Sequence, residues 1–489
     1  MKISKEKNGG PGLKGIGVFI AAAFVALLAV FFLADFGANR QPLWTALSIP
    51  LFFMAFLILG SELFQPAEKK ATDSLFSACL ILMGIVVFWS VYQTLPPPFV
   101  PESWLNPGYD VVNMQHSAIS IAPDRSESFL LRLMLYVTSC WAAYRLSRDE
   151  PTARTILLGI GWVIWALCIN FIVERATGFA VLSRLAQPLN MNHFATVAGT
   201  GVLLSLGLMH KQLEYIIGES WPTFRETVRV WMVVLFDRAL VPLIGVLISV
   251  TALYLTDSRG AIAATNLAMI AMGAFYLVTR PGSGPINIKR AGIKLAVSAL
   301  VLAALLYPGI VYVLNLSRTE ATFGLRAPLF EQAFILVQDN AWFGTGLATF
   351  REAFRPYKPP ELVGFTIDYA HNMYLENLAE LGVPVAALLF LAIGLIGVRL
   401  VQGVRFRRRN RHYPLIGVSV LVLVGVHSAV DFALAIPAIG VLVWALIGCC
   451  AAQALPSRRR RRVIPVPGAA EPDGPSSENS LSGLTQPSE

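Results

Sequence analysis

Apolar residues run along this chain in blocks of about 20, separated by short polar connections. A block of that length crosses the ~30 Å hydrocarbon core of a bilayer as one helix. Such blocks fall at about 15–35, 42–64, 74–94, 127–147, 155–173, 193–210, 236–256, 261–279, 292–314, 381–402, 414–435 and 437–455. A transmembrane barrel needs short segments that alternate apolar and polar positions instead. The pattern therefore predicts an all-α polytopic membrane protein with about 12 transmembrane helices.

Charge sharpens this picture. Only 14% of the residues are charged while 55% are hydrophobic, whereas a soluble domain has about a quarter charged. The net charge of +9 is not spread over a soluble face, so it does not point to nucleic acid. It collects in clusters: the N-terminus, Lys69/Lys70, Arg145/Arg148/Arg154, Lys211 with Arg225 and Arg229, Arg280 with Lys289/Arg290, Arg405 to Arg411, and Arg458 to Arg462. In a twelve-span arrangement every cluster lies on one side, which the positive-inside rule makes the cytoplasm, with both termini there. The run from Ile16 to Leu33 follows a basic start and lacks a small-residue cleavage site, so it is an expected uncleaved first span. From Pro465 onward the composition predicts a disordered cytoplasmic tail. Three regions follow: N-terminal membrane helices over 1–190, a membrane core over 191–456, and a basic then disordered tail over 457–489. The five cysteines fall inside apolar blocks with no CxxC spacing, so neither a structural metal nor a disulfide framework is expected.

The opposite, outer face carries loops at 95–126, 174–192 and 315–380. The last is long enough to expect structure of its own. Leu329, Phe330, Ala333, Phe334 and Val337 recur at helical spacing and predict an amphipathic helix at the membrane surface. FGTGLATF (343–350) turns on two glycines, and DYAHNMYLENLAELG (368–382) leads into the next apolar block. Asp368 is an expected helix cap there, with His371 in the first turn.

His193, His371 and His427 all map to outer ends of predicted spans, as does Arg259 in TDSRGA; Arg326 opens the helix of the long loop. An arginine at a membrane boundary often only snorkels to water, and a single interfacial histidine is often structural. Yet Arg259 and Arg326 each stand at a helix start on the face poor in positive charge, which suits a diphosphate. A neutral histidine beside such an anion site is what a general base needs. Asn372, Tyr374, Glu376 and Glu380 lie on or next to the same helix as His371; Asn372 is a possible accessory residue, and polar contacts that fix the loop are the plainer reading of all four. His427 and Asp431, four apart on one expected helix face, are either a histidine with its orienting carboxylate or a hydrogen bond between spans. Asn192 and His193 are expected to cap the sixth span. The chain has no P-loop, GxSxG, HExxH or DxD pattern, so no nucleotide chemistry, cofactor or metal is expected.

Together, TDSRGA, GLRAPLFEQAF, QDNAWFGTGLATF and AHNMYLENLAELG, with NMNHFA and HSAVDFALAIPA on either side, resemble the O-antigen ligase and polymerase superfamily over roughly residues 190–440. The resemblance implies a type C membrane glycosyltransferase of the bacterial inner membrane with a periplasmic active site. Its donor would be a glycan on undecaprenyl diphosphate, and its acceptor lipid A–core or another lipid-linked glycan. By position, His371 matches the family's essential loop histidine, and Arg259 and Arg326 match arginines thought to hold the diphosphate. Two other classes compete. A transporter or flippase of lipid-linked sugars would show repeat-related halves and midplane ionisable residues. A scaffold would make these three residues dispensable.

Overall fold

The computed structural model describes residues 11–34, 40–63, 73–96, 98–104, 118–178, 189–217, 239–278, 326–407 and 409–455. The chain divides into Met1–Pro456 and Ser457–Glu489; the expected tail, the ninth expected span (292–314) and residues 315–325 of the long loop lie outside the described residues.

Among the described residues the protein is all helical. Ahead of the long loop come α1 (Pro11–Leu33), α2 (Gln41–Leu63), α3 (Ser74–Tyr92), α4 (Pro123–Leu146), α5 (Glu150–Thr177), α6 (Met191–Ile217), α7 (Leu240–Leu255) and α8 (Arg259–Val278). The long loop forms α9 (Arg326–Asp339), the short α10 (Phe350–Ala353) and α11 (Met373–Leu381). Three more helices follow: α12 (Val383–Phe406), α13 (His412–His427) and α14 (Pro437–Ala452). Each described helix outside the long loop overlaps an apolar block expected from the sequence. Six of them are long and apolar enough to cross a membrane, and α7, α13 and α14 are shorter apolar helices.

One helix organises the rest. Every turn of α14 is buried, and it lies along α4. A Cβ at Gly448 would collide with the Cys140 carbonyl, and one at Gly440 would press into the Tyr136 ring. Glycine thus lets two backbones approach where lipid offers no hydrophobic drive for helix pairing. On the other side, α6 packs between α7, α8 and α13.

Two local expectations change. The apolar block over 414–435 is not one helix: α13 stops at His427, and a turn with a 3-10 segment at Ala433–Ala435 leads to α14. Hydropathy cannot register this break because the turn is itself apolar. The loop helix α9 turns most of its expected apolar face inward. Leu329, Ala333, Leu336 and Val337 are buried against α11 and the Phe350/Phe354 pair, while Phe334 is turned outward.

Candidate functional site

The opening of α11 explains how His371 is held. Asn372, not Asp368, is the cap: its side-chain oxygen accepts hydrogen bonds from the Tyr374 and Leu375 backbone N–H groups at 3.0 and 3.2 Å. Asp368 instead pairs with Arg351 at 3.2 Å. His371 therefore precedes the helix, and its φ of 51° lies in the left-handed region, where a side chain stores about 1–3 kcal/mol of strain. Both flanks are tied down. The Ala370 N–H donates to Glu376 Oε2 at 3.0 Å, and the Met373 N–H donates to the Ser428 carbonyl at 2.9 Å. Tyr374 Oη donates to the Gly425 carbonyl at 2.7 Å.

The FGTGLATF loop locks onto the far end of α11. Thr345 and Gly346 donate their N–H groups to the Ala379 and Glu380 carbonyls, and Val383 donates to Ala341. The Glu380 carboxyl accepts from the Ala348 and Phe350 N–H groups at 2.7 and 3.0 Å. The two backbones are so close that a Cβ at Gly344 would strike the Glu380 carbonyl, and one at Gly382 the Trp342 carbonyl. Both glycines have positive φ, so the geometry admits no other residue without strain.

Glu376 and Glu380 share one buried face of α11. Burial pushes both carboxyl pKa values up; the Glu376 charge raises Glu380 further, and the backbone donors and nearby arginines pull back by less. A raised folded-state value gives stability that is complete below the ordinary glutamate pKa of about 4.3 and is lost as pH rises through the raised value. The melting temperature is therefore expected to fall as pH is taken from mildly acidic through neutral to alkaline. Glu376→Gln, which cannot ionise, should make that fall shallower in thermal melts; an unchanged slope would rule out the buried pair as its source.

The three outer-end histidines meet at one carboxylate. Asp431 lies in the turn beyond α13, 2% exposed. His193 Nε2 approaches its Oδ1 to 3.6 Å, His371 Nδ1 the same oxygen to 3.8 Å, and His427 Nε2 its Oδ2 to 3.9 Å. Burial pushes the Asp431 carboxyl up, but attraction to the imidazoles outweighs it and holds the group well below the usual carboxylate range. Asp431 is thus an anion facing His371. The sequence paired it with His427 on one helix face. The early end of α13 instead places it in the turn, within reach of all three rings. His193 sits in the first turn of α6, whose opening is capped by Asn190, which accepts from the Asn192 N–H at 2.9 Å; neither Asn192 nor His193 is the cap. His427 Nδ1 is 2.8 Å from Thr196 Oγ1, so that ring is fixed from both sides.

Phe432 fills the centre. Its ring stacks on Tyr369 at 4.1 Å and meets His193 and His371 edge-on at 4.6 and 4.9 Å. The His371 side chain is 38% exposed against 3% for Asp431, and its Nδ1 is buried. Nε2 is therefore the nitrogen available to a substrate. It faces a cavity of about 270 Å³ lined by Asn190, His193, Asp368, Tyr369 and Phe432. A second cavity, about 410 Å³, runs down between the helices past Met83, Tyr136, Leu389, Ile393, Leu421 and Trp444, and it shares Asp368 and Tyr369 with the first.

The arginines arrive from the α8 and α9 side. Arg259 is the first residue of α8 and Arg326 the first of α9, as the sequence predicts. Next to Arg259, Gly260 lies against His427: a Cβ there would stand 3.4–3.5 Å from the imidazole and 2.9 Å from Val430. Arg326 lies within electrostatic range of His427. Asn372 is occupied as the cap and does not line the His371 cavity. Although three imidazoles and a carboxylate share the site, the described residues contain no group of three or more such side chains arranged to hold a metal ion. Sequence reasoning missed Thr196, Tyr369 and Phe432, for which no periodic or charge signal exists. It did note Glu376 and Glu380, but burial is what gives them weight.

No curated protein matches the chain. Residues 244–391 match a family model described as O-Antigen ligase; this segment contains Arg259, Arg326 and His371, and its family implies a ligase or polymerase enzyme of glycan biosynthesis. Over those residues the chain is similar to the O-antigen ligase family, and the match supports the O-antigen ligase and polymerase superfamily.

Proposed function

We propose that this protein is a glycosyltransferase of the bacterial inner membrane working at the periplasmic face. It would move a glycan from undecaprenyl diphosphate to an acceptor hydroxyl on lipid A–core or on another lipid-linked glycan. The observation that carries this reading is the convergence on Asp431: a half-exposed histidine, backed by a buried anion, opens to a cavity, and the arginine-bearing starts of α8 and α9 approach His427 on the same carboxylate.

Transfer proceeds by one displacement. His371 Nε2 takes the proton of the acceptor hydroxyl as its oxygen attacks the anomeric carbon from the face opposite the diphosphate. The bond from that carbon to the diphosphate oxygen breaks, so the configuration inverts, and undecaprenyl diphosphate leaves as an anion. Asp431 stabilises the imidazolium formed on His371. The separation of 3.8 Å is loose for a hydrogen bond, as such contacts often are before substrate binds. Arg259 and Arg326, with the positive ends of α8 and α9, supply charge to the departing diphosphate, so no metal is called for.

The shared wall of the two cavities supports a lipid-linked substrate, whose hydrocarbon chain suits the 410 Å³ apolar chamber while its head reaches past Tyr369 to His371. Ile393→Trp should then raise the KM for a lipid-linked substrate by about tenfold, roughly 1.4 kcal/mol, with little change in kcat. A chain-shortened substrate should be indifferent to the change. Equal losses with both lengths would remove the chamber from substrate binding.

The deciding experiment uses the native host: delete the gene, restore it as wild type or His371→Ala, and separate the surface glycans by size. Long lipid-linked chains that never reach lipid A–core identify a ligase, and chains arrested at one repeat unit identify a polymerase. Full rescue by His371→Ala would reject the catalytic assignment.

A further inference from the structure

His371 is held in a backbone conformation that its own side chain disfavours, so something nearby must hold it there. The hydrogen bonds on its two sides have different origins. On the C-terminal side Asn372 caps α11, an arrangement that any helix of this kind could adopt. On the N-terminal side the Ala370 N–H is fully buried and has its bond from Glu376. The Glu376 N–H donates to the Asn372 carbonyl at 3.0 Å, so one residue grips the chain both before and after His371. The result resembles a capping box, in which a helical glutamate reaches back three residues to the N–H of the cap, but here Glu376 reaches back to Ala370, two residues ahead of the cap.

We propose that Glu376 is a positioning residue for His371, fixing the left-handed turn that aims the imidazole between Asp431 and the cavity. The proposal rests on the reading of His371 as the base. Glu376 lines the larger cavity and not the His371 cavity, and it reaches His371 only through the backbone. Only one of its oxygens accepts from that turn, so a neutral amide can do the same work. Glu380 differs, because both of its oxygens accept backbone N–H groups.

The test uses the full chain in lipid nanodiscs. Glu376→Met keeps the volume and removes the acceptor; it should lower kcat by about 100-fold, the usual cost of a misplaced catalytic group. Glu376→Gln should stay within about threefold of wild type. In a His371→Gly background with imidazole added, the base is no longer attached to the turn, so adding Glu376→Met should cause no further loss; a general packing defect would still appear there. Backbone hydrogen exchange over 366–375 should quicken in Glu376→Met and stay as wild type in Glu376→Gln. The proposal is overturned if Glu376→Gln is as inactive as His371→Ala, if Glu376→Met loses as much with imidazole as without His371 replacement, or if exchange over 366–375 is unchanged. Should His371→Ala itself keep full activity, the base assignment fails, and the exchange measurement alone still decides whether Glu376 holds the turn. If Glu376→Met does not fold, Glu376→Gln still decides the matter by its activity.

Discussion

His371→Ala is expected to lower glycan transfer by about 10²–10⁴-fold, the range for loss of a general base, with substrate KM little changed. His371→Gly is expected to be just as inactive yet more stable than His371→Ala. The φ of 51° costs an alanine its Cβ strain and costs glycine nothing, a difference of about 1 kcal/mol. Thermal melts of the two variants measure that gap. Imidazole added to His371→Gly can occupy the space of the missing ring beside the 270 Å³ cavity and should restore part of the rate. If alanine and glycine melt together, the left-handed turn is not the constraint drawn here. If imidazole restores nothing while the protein remains folded, Nε2 is not where the acceptor proton goes.

Arg259→Ala and Arg326→Ala should each cost about 10²–10³-fold in kcat, the magnitude found when one preorganised charge partner of a developing anion is removed. Both residues open helices, so the positive end of each helix adds to the guanidinium charge there. Lysine at either position keeps the charge but loses the two-pronged geometry, and should recover only part of the rate. Inhibition by undecaprenyl diphosphate, the departing product, offers a direct check. Each alanine variant should weaken it markedly, because the arginines are assigned to that group. Inhibition equal to wild type, with transfer lost, would move the arginines to the acceptor side.

What the sequence made legible follows from which forces act locally. Helix positions were readable because a bilayer demands a fixed run of apolar residues: α1 to α8 and α12 to α14 each overlap an apolar block, and six of them are long and apolar enough to cross a membrane. Arg259, Arg326 and the three histidines were readable because polar groups at span ends are few and costly to place there. The meeting at Asp431 was not. It depends on α13 ending at His427 inside an apolar stretch, where composition gives no stop signal. The choice between Asp368 and Asn372 as cap was also hidden, since both residue types cap helices well. What decided it was Arg351 drawing Asp368 away and the tie from Glu376 to Ala370. Glu376 and Glu380 looked like ordinary polar positions of a short helix. Their backbone partners, Ala370 for one and Ala348 and Phe350 for the other, come from turns that no helical periodicity brings into view.

The lock between FGTGLATF and the end of α11 bears on how such proteins can be recombined. Gly344 and Gly382 each occupy the only space the other strand of chain leaves, so the two motifs behave as the halves of a clasp. A chimera that exchanges one half for a foreign sequence would pair a clasp with the wrong catch, and misfolding would be mistaken for altered specificity. Crossovers placed before Ala341 and after Val383 move the clasp whole, together with His371 and Glu376 but without Asp431. Whether such a hybrid works then reports on how well two independently inherited halves of one acid–base pair find each other.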